Sequence, residues 1–78
     1  MVAAEGLALD VVIEPLVTAL LTPDLAALKA QFATTAQVPA EHDKALLRVG
    51  RTHYGQATLS ASERAALRGA FVRLVIAQ

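Results

Sequence analysis

More than half of this short chain is apolar, and that excess constrains its fold more than any motif does. The hydrophobic fraction is 55% over 78 residues, and the mean hydropathy is +0.48. A small domain has proportionally more surface to cover and should therefore be more polar than average, not less. Two arrangements absorb such an excess: a membrane-spanning segment, or a surface hidden against another chain. A spanning helix needs about 20 nearly uncharged residues. The most apolar stretch, Leu7 to Leu21, is interrupted by Asp10, Glu14 and Pro15. The opening Met-Val-Ala-Ala-Glu-Gly carries no basic region ahead of an apolar core and does not read as a secretory signal. The composition thus predicts a cytoplasmic protein outside the membrane that buries apolar surface against a second protein, most simply as a homodimer.

Alanine supplies 17 residues and leucine 12, against three aromatics. Alanine is the strongest helix former and buries little area, so the balance favours closely packed helices over a sheet. The same richness in alanine suits a bacterial source. Without cysteine, neither a disulfide nor a thiolate metal site is available. The fold expected is all-α, one domain over residues 1–78, a small bundle of about four helices.

Punctuation places those helices. The first covers about Ala4 to Leu21, with Pro15 expected to bend or break it and so to mark an irregular second contact. Leu7, Leu9, Val11 and Ile13 alternate with Asp10, Val12 and Glu14, a pattern that would also suit a strand. Such a strand over Leu7–Glu14 would have to pair with its copy across a dimer, and helix is favoured. The second helix is expected to start with Thr22 as cap, Pro23 in the first turn and Asp24 facing the helix dipole, and to bury Leu25, Leu28 and Phe32. It should fade at Thr34-Thr35. The third begins near Pro39 and runs to Gly50 or on to Tyr54, with Lys44, Arg48 and Arg51 on one face and Leu46, Val49 and His53 opposite. The fourth starts at a capping box, Ser60 with Glu63, preceded by Leu59 as a hydrophobic staple.

The fourth helix carries two apolar seams. Leu67, Ala70, Phe71 and Leu74 suffice to pack it on its own domain. Ala65, Gly69, Val72 and Ile76 follow a four, three, four spacing like that of a coiled-coil seam. That second seam is the predicted interface, where small residues would let another backbone approach. The competing reading makes this helix central, wrapped by the other three on several sides.

Net charge is zero, but residues 1–43 hold six of seven acids and residues 44–78 six of seven bases. Asp10 with Glu14, and Arg64 with Arg68, are like-charged neighbours one turn apart, so each pair is expected to face the other. Either the acidic and basic halves meet within one fold, or they meet between subunits, or the basic half binds nucleic acid. Lys44, Arg48, Arg51, His53, Tyr54, Arg64 and Arg68 are the candidate contacts for an anion or partner.

Chemistry is sparse. Gly50-Arg-Thr-His-Tyr-Gly55 could form an anion-binding loop, or it could be a helix C-terminus with Arg51 and His53 on the dipole. Glu41, His42 and Asp43 are consecutive and point in different directions on a helix, so they do not converge on an ion. No nucleophile with a recognisable base, no phosphate loop, no metal site and no cofactor site is read, and an enzyme is not expected. The expectation is a small helical interaction module acting as a homodimer, a regulator, adaptor or inhibitor. The alternative is a dimeric nucleic-acid-associated factor using the basic half.

Overall fold

The computed structural model describes the backbone of residues 2–78 and the side chains of residues 9–78. Four α-helices follow one another: α1 (Val2–Thr18), α2 (Thr22–Phe32), α3 (Ala40–Tyr54) and α4 (Ala61–Ile76). Among the described residues there is no strand, and no helix is long and apolar enough to cross a membrane.

The first helix shows why the alternating pattern at its start is not a strand. A strand would put Leu9, Val11 and Ile13 on one face. Instead Leu9 and Ile13 are buried with Val17, at a spacing of four, while Val11 is 67% exposed. That is helical periodicity. Leu7, the first member of the alternation, has its side chain outside the described residues. Pro15 does not break α1: it is exposed, and the helix runs on to Thr18. Proline deprives the Val11 carbonyl of its helical donor, and Val11 lies on the solvent side, where water can take the donor's place. Thr18 Oγ1 then bonds the Glu14 and Pro15 carbonyls, each at 3.2 Å.

At the start of α2 the cap position belongs to Leu21 and not to Thr22, which is already helical, and no side chain caps the helix there. Pro23 still lies in the first turn, where its missing N–H costs nothing. Leu28 and Phe32 are buried and Leu25 is partly so. The third helix takes the longer of its two expected lengths. Its end is set by Gly55 in the left-handed region (φ 66°), and the Gly55 and Gln56 N–H groups both donate to the Arg51 carbonyl. The capping box of α4 forms in full: Glu63 N donates to Ser60 Oγ at 3.1 Å and Ser60 N to Glu63 Oε1 at 2.7 Å, over a buried Leu59.

The last helix is the common partner, packing on α1 most extensively and also on α3 and α2. Its inward seam is Leu67, Ala70 and Phe71 as expected, with Leu74 part-buried, and Val75 fully buried beside them. Phe71 is the hub. Phe32 meets it edge-on at 6.1 Å and His42 stacks on it at 5.8 Å. Ile13, Val17 and Leu46 complete the fully buried set.

Gly50 lets Leu67 of α4 pack directly on the α3 backbone. It is buried where α3 crosses α4, and a Cβ there would overlap Leu67 Cδ1. Its role is to leave room for the Leu67 and Leu59 side chains against the α3 backbone, whereas the sequence pattern suggests only a helix end.

Candidate functional site

Ala65, Gly69, Val72 and Ile76 span about 60° of the α4 surface at about 100° per residue. With three helices packed against α4, this seam is still open. Ala65 and Gly69 are exposed, Val72 is part-buried and Ile76 is 52% exposed. A Cβ placed on Gly69 would meet nothing within 4 Å. Ala36, from the α2–α3 connection, walls one side of a shallow depression of about 350 Å³ lined also by Ala65, Arg68, Gly69 and Val72. A second depression of about 750 Å³ shares Ala36 and Arg68 and continues along Gln37, Val38 and Pro39. Gln31 Nε2 holds that connection by donating to the Gln37 carbonyl at 2.9 Å. Ala36 carries no signal in the sequence; only the path of the connection brings it to α4.

Arg68 and Arg73 flank the open seam, and each is tied to an acid of the front half. Arg68 grips Asp43 bidentately, Nε to Oδ1 at 2.7 Å and Nη2 to Oδ2 at 3.0 Å. Arg73 Nη2 donates to Asp10 Oδ1 at 3.2 Å. The acidic and basic halves therefore do meet within one fold. The pairing is different from that of like-charged neighbours facing each other: Asp10 takes Arg73, and Arg64 and Arg68 do not meet Asp10 and Glu14 as a pair. The Arg68 hydrogen bonds hold the Asp43 carboxyl below its ordinary range, outweighing the opposing effect of burial, with the charge of Arg64 helping. Asp43 in turn raises Arg68.

Lys29, on α2, donates to the Gln78 carbonyl, and the other four cations form a separate face. Lys44, Arg48 and Arg51 are exposed along α3 and line a depression of about 360 Å³ with Leu47. Leu47 and Arg51 also line a neighbouring hollow with Leu59 and with Arg64 of α4. Among the described residues, ion pairs join Arg68 to Asp43, Arg73 to Asp10 and His42 to Glu41. Lys44, Arg48, Arg51 and Arg64 take part in none of them.

Three expected members are not part of this face. Arg68 is occupied by Asp43. His53 lies about 180° around α3 from Lys44 and packs edge-on against Tyr54, with ring centroids 5.0 Å apart. Tyr54 itself lies against the hydrophobic core. Gly50 to Tyr54 are helical, so the stretch is a helix C-terminus and not a loop. Glu41, His42 and Asp43 do not converge on one point: exposed Glu41 reaches His42, whose ring stacks on Phe71, while Asp43 turns to Arg68.

Compared with protein-family models, curated proteins and solved structures, the chain matches none. What it does is therefore argued from its own two open faces.

Proposed function

We propose that this chain is a small helical protein–protein interaction module of the bacterial cytoplasm, a regulator, adaptor or inhibitor, that self-associates through the α4 seam. One observation carries the reading: Ala65, Gly69, Val72 and Ile76 remain open although α1, α2 and α3 all pack on the same helix. Small side chains at 65 and 69 let a second α4 approach closely. Val72 and Ile76 supply area worth about 1.5–3 kcal/mol each if fully buried. Association costs at least about 4 kcal/mol, and Val72 is already part-buried and Ile76 only 52% exposed, so the seam alone supports a weak dimer, with a Kd in about the millimolar range.

Sedimentation equilibrium over a range of concentrations tests this. The wild-type chain should pass from monomer to dimer. Ile76→Asp and Gly69→Arg should remain monomeric with unchanged helical circular dichroism, since both positions are exposed. A wild-type chain that stays monomeric throughout refutes the proposal.

A further inference from the structure

The fold sorts its cations into two groups. Arg68 and Arg73 are spent on Asp43 and Asp10. Glu63 is spent on the capping box and on Gln56 Nε2, which donates to it at 3.2 Å. Among the described residues five cations stand outside any ion pair. Lys29 gives its Nζ to the Gln78 carbonyl, and the other four lie around one part-buried leucine: Lys44, Arg48 and Arg51 along α3, Leu47 beside them, and Arg64 across the hollow on α4. Glu41, at the N-terminal end of this face, reaches His42 instead, at 3.6 Å.

We propose that this face receives an acidic, amphipathic segment of a partner protein, with an apolar side chain seated on Leu47 and carboxylates on the surrounding cations. The cation row from Lys44 to Arg51 covers about 10.5 Å of helix axis, two turns, so a helical ligand with acids at matching intervals meets it without distortion. Three of the four cations are arginines, whose planar fork takes a carboxylate bidentately, as Arg68 already does with Asp43. Leu47 decides between polyanions. A phosphodiester backbone has no apolar group to place there. The alternative, stacking of bases, needs exposed aromatics, and both phenylalanines are buried while Tyr54 lies against the core. The net charge of zero gives the molecule little long-range attraction for nucleic acid. The face stands apart from the α4 seam, with Arg64 about 100° around that helix from Ala65. Segment binding and self-association can therefore fail separately.

The test is fluorescence anisotropy at low salt with the full chain. The probe is a labelled peptide of four helical turns, glutamate throughout except for leucine at every third or fourth position. The comparison probes are the same peptide with serine for leucine, a single-stranded oligothymidylate and a short DNA duplex. The Glu/Leu peptide should bind best. Arg48→Glu with Arg51→Glu should weaken it by about tenfold or more, because two attractions become repulsions. Leu47→Ser should weaken it severalfold, with circular dichroism confirming the fold of each variant. The Ile76→Asp variant should bind as wild type does. Tighter binding of either nucleic acid overturns the proposal, as does binding unaffected by the charge reversal, or no binding of the Glu/Leu peptide.

Discussion

Gly50 and Gly69 are both interior helix glycines, and replacing each with alanine should have opposite effects. Taken alone, Gly→Ala inside a helix gains about 0.8–1 kcal/mol. At Gly69 nothing opposes that gain, because the new Cβ meets no atom within 4 Å. At Gly50 the new methyl overlaps Leu67 Cδ1 and comes to 3.0 Å from Leu59 Cδ1. Leu67 is fully buried and Leu59 nearly so, so neither can move aside into solvent. Overpacking of this kind costs about 1–3 kcal/mol. The net expectation is a loss of about 1 kcal/mol for Gly50→Ala and a gain of nearly 1 kcal/mol for Gly69→Ala. In a domain of this size each corresponds to about 4–8 °C in Tm, in opposite directions. Thermal unfolding by circular dichroism, at a concentration low enough to hold the chain monomeric, reads both. Adding Leu67→Val to Gly50→Ala should recover part of the loss, since the two positions share one space. If Gly50→Ala raises Tm as much as Gly69→Ala does, the Leu67 and Leu59 side chains do not fill the space beside Gly50 and the argument fails. At concentrations where the wild type is dimeric, Gly69→Ala should gain less, because its methyl now stands between two helices.

Three further outcomes can be measured. The Asp43–Arg68 pair stabilises the fold through a lowered carboxyl pKa, so its contribution is complete above the ordinary value of 3.8 and is lost as pH falls through the lowered one. Asp43→Asn should therefore cost less than about 1 kcal/mol at neutral pH, the pair being partly exposed, and the gap in urea midpoints should close below pH 4. Ser60→Ala removes one half of the capping box and should cost about 1 kcal/mol, read as a lower urea midpoint with unchanged slope. Pro15→Ala restores a donor to the Val11 carbonyl and should raise Tm, by about 1 kcal/mol in stability.

What the sequence disclosed follows the range of the interaction concerned. The Ser60–Glu63 box is four residues long and was legible in full, as was the buried spacing of Leu28 and Phe32 on α2. The cap of α2 lies one residue before Thr22, at Leu21, whose side chain caps nothing; the Thr22 hydroxyl marks a good cap in the sequence, but the backbone turns helical one residue earlier. Arg68 looked like a member of the basic face because its partner lies 25 residues earlier, and Asp10 finds Arg73 across 63 residues. No local pattern encodes either meeting. Gly50 read as a helix end because glycine is ambiguous between ending a helix and letting another one close; the identity of Leu67 opposite it resolves the matter only in three dimensions. On α3 the basic row was legible from its period, but the place of Leu47 between that row and Arg64 was not, since it depends on how α4 crosses.

Because α4 is the shared partner of the other three helices and the last of them in the chain, the order of synthesis matters. Until α4 is made, α1 and α3 can pack only on each other, and the faces of Leu28 and Phe32 that meet α4 stay uncovered. Phe71 of α4 supplies the surface that meets Phe32 and His42. A frameshift or premature stop anywhere before Val75 would yield a chain without a completed core, a natural substrate for cellular proteolysis.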